Sequence, residues 1–389
     1  SNTLLDVCLI CWMPKPNSYT GEDCFEIQCH GGLSTSQALV EACSEIKGLR
    51  LAEAGEFSKR AIINGKLDLV QAEAINEIIL SETERQRSLN LKQLKRGLSI
   101  PIKLWRNRII NILSKIEASL DFSDEDGVPA NLDIRSEIKK IFNDIMIVLE
   151  KGKKYELITT GTKITFTGPP NSGKSSLFNY IIKKQKSIVT KIPGTTRDVI
   201  EKKVNLNGAP VIFFDTAGIR ATKNIVEKEG IKKAKKAIKE ADIILNIQDL
   251  SKDKKTNYKD SFRNKTWFVF NKVDKVKKEI KFKKQENRAP FFVSAKTGKG
   301  IKELLNKIQE HILHKTEEGG HNEYFFTNER QKADLRNALA NLKAASNEKE
   351  EEIIAEYLRA ATNNLERILG KIDVEEVLGQ IFSSFCIGK

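Results

Sequence analysis

The sequence predicts an α/β domain, with a parallel sheet and helices on both faces, that is inserted into an α-helical domain and preceded by a partial α+β N-terminal domain. Between about residue 160 and residue 317, short apolar runs rich in β-formers alternate with helical patterns, an order typical of parallel sheets. On both sides of that stretch, apolar residues recur at spacings of three and four, as in amphipathic helices. The predicted domains are 1–62, 63–157, 158–317 and 318–389, the second and fourth being two parts of one helical domain.

The elements follow in chain order. The first 62 residues mix short apolar runs with Gly and Pro, and the helical pattern begins at Leu67. Pro101 is expected to break or kink that helical stretch, and another helix is predicted from about Leu132 to Leu157. In the α/β domain, strands are predicted in KITFTG, PVIFFDTAG, TWFVFNKVD and APFFVSAK, and helices in SSLFNYIIKK, EGIKKAKKAIKEAD and GIKELLNKIQEHIL.

Composition limits the class of protein. The 389 residues, 40% of them hydrophobic, are enough for two or three folded domains and exclude a mostly disordered chain. No apolar run is long enough to predict a membrane span, and six cysteines are too few for a disulfide scaffold, so a cytoplasmic setting is expected. The net charge of +14 comes from residues 158–317, where 36 basic residues face 16 acidic ones. That excess fits an RNA-contacting surface or simply a solvated lysine surface.

The stretch GPPNSGKS, residues 168–175, matches the pattern G-x-x-x-x-G-K-[ST] between a predicted strand and a predicted helix. In such a loop the backbone amides and the helix N-terminus accept phosphate oxygens. Lys174 would reach the β- and γ-phosphates, and the Ser175 hydroxyl would bind magnesium. The alternative is a glycine-rich turn with a chance Lys-Ser pair, so the motifs that follow decide between the two.

Three further motifs follow, each at the end of a predicted strand. In DTAG, Asp215 can hold the magnesium shell and the Gly218 amide can sense the γ-phosphate. In NKVD, the Asp274 carboxylate can accept both N–H donors on the edge of guanine, and SAK, residues 294–296, would back the base. Each motif is weak alone, but the four in this order, at the carboxyl ends of strands, predict a GTP site.

The predicted GTP-binding residues are Asn171, Ser172, Gly173, Lys174, Ser175, Ser176, Thr190, Thr195, Thr196, Asp215, Thr216, Ala217, Gly218, Asn271, Lys272, Asp274, Ser294, Ala295 and Lys296.

The stretch TKIPGTTRD lies where a switch loop should supply a threonine to magnesium, and its chemistry does not choose between Thr195 and Thr196. Ile219 follows DTAG at the position where Ras-like GTPases use glutamine to orient the attacking water. Glu227 is therefore the candidate catalytic residue, as a group that positions or activates water. The alternative for Glu227 is a solvated carboxylate near a helix N-terminus.

The chain resembles the tRNA-modifying GTPases of the MnmE family, also called TrmE. The resemblance runs over essentially the whole chain, through NSYTGEDCFEIQCHGG, GEFSKRAIINGKLDLVQAEAI, PNSGKSSLFN, PGTTRDV, DTAGIR and the terminal FSSFCIGK. It implies a potassium-dependent GTP hydrolase that acts with the FAD protein MnmG in carboxymethylaminomethyl-type modification of the wobble uridine of tRNA. A ribosome-assembly switch of the Der or Era type is the alternative, but its members would not supply the helical flanks or the terminal CIGK.

The resemblance also implies a homodimer that forms through the N-terminal domain, a formyl-tetrahydrofolate site in that domain, and roles for single residues. The family's glycine-rich opening segment, with its arginine ligand, has no counterpart here, so residues 1–62 are expected to form only part of that domain. The implied positions are Ser175 and Thr196 for magnesium, Asn171, Thr190, Ile192 and Thr195 for potassium, Glu227 for the hydrolytic water, Glu26, Lys66 and Lys389 for folate, and Cys386 as a possible tRNA-modification residue.

Overall fold

The computed structural model describes residues 3–121, 134–184, 200–206, 208–215, 236–252, 264–276, 290–314 and 324–371. The chain divides into two units, one comprising Ser1–Leu80, Asn90–Leu149 and Tyr324–Lys389 and the other Ser81–Leu89 and Glu150–Glu323. We call the first the helical unit and the second the α/β unit. The larger segment of the α/β unit, Glu150–Glu323, is thus inserted between two segments of the helical unit, and the exact domain boundaries given above stay predictions.

The described elements agree with the predicted fold class. The helices are α1 Leu33–Ser44, α2 Glu56–Ile63, α3 Leu69–Leu80, α4 Glu84–Arg96, α5 Ser99–Asp121, α6 Ile134–Thr159, α7 Lys174–Lys184, α8 Ile301–His314, α9 Glu329–Asn347 and α10 Glu351–Leu369. The strands are β1 Leu9–Met13, β2 Cys24–Gln28, β3 Thr162–Thr167, β4 Ile200–Leu206, β5 Ala209–Asp215, β6 Ile243–Asp249, β7 Thr266–Asn271 and β8 Phe291–Phe292. Within the described ranges, no helix combines the length and the apolar character needed to cross a bilayer.

The long helical stretch after Leu67 is interrupted, but Pro101 does not interrupt it. Pro101 lies in the first turn of α5, where the missing N–H needs no partner. The break before α5 contains Gly97, where a Cβ atom would lie 2.1 Å from the Gln93 carbonyl oxygen. A second break separates α3 from α4, and there Thr83 and Gln86 hydrogen-bond each other's backbone N–H reciprocally, as in a capping box.

The core of the helical unit joins the two parts of the chain that flank the insertion. Ile109 of α5 and Ile141 of α6 are fully buried in one cluster with Leu335 of α9 and Leu365 of α10. Because helices from both parts bury their apolar faces against each other, neither part has a complete core alone.

A buried ion pair ties the same two parts together. The Arg330 guanidinium donates through Nε and Nη2 to the two carboxylate oxygens of Glu73, at 2.9 Å each. Glu73 also accepts a 2.6 Å hydrogen bond from Gln331 Nε2. Arg330 further donates to the carbonyls of Arg367 and Ile368, at the end of α10, so a single guanidinium fixes α3, α9 and the end of α10.

The α/β unit is built on a six-stranded sheet in the order β4-β5-β3-β6-β7-β8. All neighbours are parallel except β4, which runs antiparallel to β5 at one edge. The helices α7 and α8 contribute Leu177, Phe178 and Leu304 to the core that covers the sheet. The carboxyl ends of β3, β5, β6 and β7 therefore meet at one edge of the sheet, where parallel α/β folds bind ligands.

Two of the six strands were not predicted. In β6, Asn246 and Gln248 interrupt the apolar pattern, although the strand lies between β3 and β7. In β4, the adjacent Lys202 and Lys203 interrupt the apolar pattern, which an edge strand tolerates. The predicted helix EGIKKAKKAIKEAD begins outside the described residues.

Candidate functional site

The phosphate loop connects β3 to α7. Its backbone has positive φ at Gly168 (129°), Asn171 (62°) and Gly173 (92°). A Cβ atom at Gly168 would lie 2.1 Å from the carbonyl oxygen of Ile247, and one at Gly173 would lie 2.2 Å from Asn271 Nδ2. Because side chains fit neither place, the motif's glycines are required by close packing as well as by conformation.

Lys174 begins α7 and turns back over the loop. Its Nζ donates to the carbonyls of Gly168 (3.0 Å) and Pro169 (2.8 Å). The ammonium and the N-terminus of α7 thus stand on the same loop, and both favour anions. This arrangement can bind the phosphates of a nucleotide.

Asn271, the first residue of NKVD, links the phosphate loop to the SAK segment. It is 2% exposed, its Nδ2 donates to the Ser172 carbonyl at 3.0 Å, and its Oδ1 accepts from the Ala295 amide at 3.0 Å. The structure therefore brings together three of the four predicted motifs through one buried side chain.

Lys272 makes a second link to the phosphate loop. It has a positive φ of 68°, and its Nζ donates to the Asn171 carbonyl at 2.7 Å and to Asp249 Oδ2 at 2.6 Å. Burial alone would raise the pKa of Asp249, but hydrogen bonds from Lys272 and Ser251 outweigh it and hold that pKa below its ordinary value. Asp249 is thus an ionised carboxylate at the candidate site.

Sequence reasoning missed Asp249. The available signal was its position, because it ends a strand at the same edge of the sheet as the four motifs.

The candidate base-reading carboxylate, Asp274, is exposed and held by Ser294. The buried Ser294 Oγ donates to Asp274 Oδ1 at 2.6 Å. This hydrogen bond, helped by the charges of Lys296 and Lys275, keeps the pKa of Asp274 below its ordinary value. Asp274 therefore presents an ionised acceptor to solvent, as recognition of two N–H donors requires.

Asp215 and Ser175 are the described residues that fit a magnesium site. Asp215 is 3% exposed and lies at the end of β5, opposite Phe166 of β3. Ser175 and Ser176 are exposed in the first turn of α7. Carboxylate and hydroxyl oxygens are the donors that magnesium prefers, so this pair fits the ion.

The described folate-site candidates lie apart from this site along the chain. Lys66 donates through Nζ to the Pro16 carbonyl at 2.9 Å, and Glu26 is exposed on β2, opposite Cys11 of β1. Within the described residues, no hydrogen bond or ion pair joins Glu26 to Lys66. Ten predicted residues lie outside the described part of the chain, namely Thr190, Ile192, Thr195, Thr196, Thr216, Ala217, Gly218, Glu227, Cys386 and Lys389.

Comparison with known proteins gives matches over the whole chain. A family model of the MnmE helical domain matches residues 69–386, and a model of the N-terminus of the GTP-binding protein TrmE matches residues 1–66. The tRNA modification GTPase MnmE of Sinorhizobium medicae is 38% identical over 397 residues, which cover 100% of this chain and 88% of that protein. The MnmE of Rickettsia bellii is 37% identical over 395 residues, with the same coverage.

Among solved structures, the G domain of the T. maritima FeoB iron transporter is 24% identical and covers 39% of this chain and 98% of that one. Its TM-score of 0.26 is too low to support an inference. The comparison therefore rests on the sequence matches, which cover the N-terminal, helical and nucleotide-motif segments.

Proposed function

The chain belongs to the MnmE family of tRNA modification GTPases, and from this premise we propose that it is a potassium-dependent GTP hydrolase that acts with the FAD protein MnmG in carboxymethylaminomethyl-type modification of the wobble uridine of tRNA. The observation that carries the nucleotide part is the double link of Asn271 to the phosphate loop and to SAK. That link joins the loop GPPNSGKS, NKVD and SAK at one edge of the sheet, which supports the proposal that they bind one nucleotide.

The residues divide the nucleotide between them. Asp274 accepts the two N–H donors of guanine, while Ser294 orients its carboxylate. The loop amides, the N-terminus of α7 and Lys174 hold the phosphates, and on binding Lys174 exchanges the carbonyls of Gly168 and Pro169 for phosphate oxygens. This exchange is favourable because phosphate oxygens are charged acceptors and bind the ammonium more strongly than the two carbonyl oxygens do.

Two cations complete the proposal. Ser175 and Thr196 would hold magnesium, Asp215 would hold the magnesium shell, and the ion would offset charge on the nucleotide phosphates. Asn171, Thr190, Ile192 and Thr195 would hold potassium, which would supply positive charge near the β–γ bridge, where other GTPases use an arginine. The exposed Asn171 side chain in the phosphate loop fits this role because its amide oxygen is the kind of neutral donor that potassium accepts.

Potassium dependence gives the first test. GTP hydrolysis should be at least about 10-fold faster in potassium chloride than in sodium chloride of equal ionic strength, since the ion stabilises developing charge. Asn171→Gly keeps the positive-φ conformation but removes the amide oxygen, so it should abolish most of the difference between the two salts. Equal wild-type rates in the two salts would contradict the potassium mechanism.

We further propose that the N-terminal part forms a homodimer. Most exposed large apolar side chains of the described residues lie between Leu4 and Ile63. Trp12 and Phe25, directly opposite each other in the β1–β2 pair, are 63% and 51% exposed. Such a patch has to be covered by further apolar surface, and in the proposed dimer a second copy of this partial domain supplies it.

Sedimentation velocity tests the dimer. Wild type should sediment as a dimer, and Trp12→Glu/Phe25→Glu should sediment as a monomer because charge is placed in the patch. Leu104→Glu, at a site 58% exposed on α5, is the matched control and should remain dimeric. A wild-type monomer at micromolar concentration would refute the proposal.

The same measurement with MnmG added tests that partnership. Calorimetric titration of formyl-tetrahydrofolate into wild type and into Lys66→Ala tests the folate site.

A further inference from the structure

Asp249 lies between the two halves of the candidate nucleotide site. Its strand, β6, separates β3, which leads into the phosphate loop, from β7, which leads into NKVD. In the β6–β7 ladder Asp249 is paired with Asn271, one residue before Lys272. The carboxylate is therefore placed beside the lysine of the guanine-reading segment by the register of the sheet itself.

Each oxygen of this carboxylate has its own partners. Oδ1 accepts from the Ser251 amide at 3.1 Å and from the Ser251 hydroxyl at 2.6 Å. Oδ2 accepts from Lys272 Nζ at 2.6 Å. The side chain of Asp249 is 6% exposed and that of Lys272 is 25% exposed, so water competes little for this pair. Ser251 thus occupies Oδ1, and Oδ2 is the oxygen that receives the lysine.

Lys272 carries this constraint onto the phosphate loop, since the same ammonium bonds the Asn171 carbonyl at 2.7 Å. A lysine side chain has many rotamers, and holding it in one costs conformational entropy. The Asp249 carboxylate on one side and the Asn171 carbonyl on the other restrict the Lys272 side chain to one conformation, in which it bridges the two groups. Without the Asp249 carboxylate, the Lys272 ammonium keeps only its hydrogen bond to the Asn171 carbonyl, and the link between the guanine-reading segment and the phosphate loop is less well held.

We propose that Asp249 is a positioning residue for nucleotide binding, which acts through Lys272 to hold NKVD against the phosphate loop. The inference rests on the proposed guanine and phosphate sites. It differs from a purely structural ion pair because a structural pair would change the stability of the unit without changing nucleotide affinity through Lys272.

The test is a double-mutant cycle on GDP affinity, measured by fluorescence titration with a methylanthraniloyl-labelled GDP. Asp249→Asn is isosteric and should weaken GDP binding about 10-fold, the range expected for a lost hydrogen bond between charged groups. Lys272→Met should weaken it by at least as much. In the Lys272→Met background, Asp249→Asn should add less than about 2-fold, because its effect passes through the lysine.

Ser251→Ala is the matched control. It removes one donor to Oδ1 but leaves the amide donor and the lysine bridge, so affinity should stay within about 3-fold of wild type. Asp249→Glu keeps the charge and should recover part of the affinity lost in Asp249→Asn. If Asp249→Asn shows no cooperative thermal unfolding, Asp249→Glu replaces it in the cycle, with a smaller expected loss of GDP affinity relative to wild type because the charge is kept but displaced from Lys272.

The outcomes separate the inference from the function it rests on. Wild-type affinity in Asp249→Asn, together with weakened binding in Lys272→Met, overturns the positioning role alone. Additive losses in the double variant also overturn it, because Asp249 would then act independently of Lys272. Wild-type affinity in both Lys272→Met and Asp274→Asn would instead overturn the guanine site.

Discussion

Replacing Asp274 with Asn is expected to weaken GDP binding by about 100-fold and to create measurable affinity for xanthosine diphosphate. The exposed carboxylate is ionised at neutral pH, the Ser294 hydrogen bond lowers its pKa further, and in the proposed site it accepts two N–H donors from guanine. Losing hydrogen bonds to a charged group costs about 1.5–3 kcal/mol each, and about 1.4 kcal/mol is a tenfold change in affinity. An asparagine amide places a donor against a guanine donor, whereas xanthine offers a carbonyl there.

Parallel titrations with labelled GDP and labelled XDP measure this exchange. Ser294→Ala is the control, since it removes the hydrogen bond that orients Asp274 but keeps the carboxylate. That variant should lose about 10-fold in GDP affinity and keep its preference for guanine. Unchanged GDP binding in Asp274→Asn would show that NKVD does not read the base.

The second large effect is expected at Glu227, which we propose positions the hydrolytic water. Glu227→Ala should lower the single-turnover rate of GTP hydrolysis in potassium about 100-fold, at the low end of the range for a general acid–base group. GDP affinity should stay within about 2-fold because the proposed role concerns the water and not the nucleotide. Glu229→Ala makes the same change of charge two residues away and should keep the wild-type rate.

Mass spectrometry of the wobble nucleoside extends the Glu227 experiment to tRNA. Cells that carry only Glu227→Ala should lack the modified uridine, and cells with Glu229→Ala should retain it. Wild-type hydrolysis in Glu227→Ala would remove that residue from the mechanism. Retained modification without hydrolysis would separate the tRNA reaction from the GTP cycle.

The parts of the site that follow from local spacing could be predicted from the sequence. The loop GPPNSGKS carries its own geometry, because glycine positions and the following helix fix where the amides point. Asp274 could be predicted for the same reason, since it stands at a fixed offset from the end of β7.

The contacts between motifs could not be predicted. Asn271 bonds a carbonyl 99 positions away, and Lys272 bonds one 101 positions away; such pairs depend on strand order, which spacing does not reveal. Asp249 was missed for a related reason. Its strand mixes polar residues into an apolar run, and only the sheet places it between the phosphate loop and NKVD.

The insertion of the α/β unit has a consequence for the order in which the protein can fold during synthesis. The helical core needs Leu335 and Leu365 to cover Ile109 and Ile141, and the ion pair of Glu73 needs Arg330. All three late residues are translated after the whole α/β unit. Because domains fold as their chain emerges, the nucleotide-binding unit can complete its core first. The apolar faces of the early helices stay exposed until the end of the chain has left the ribosome.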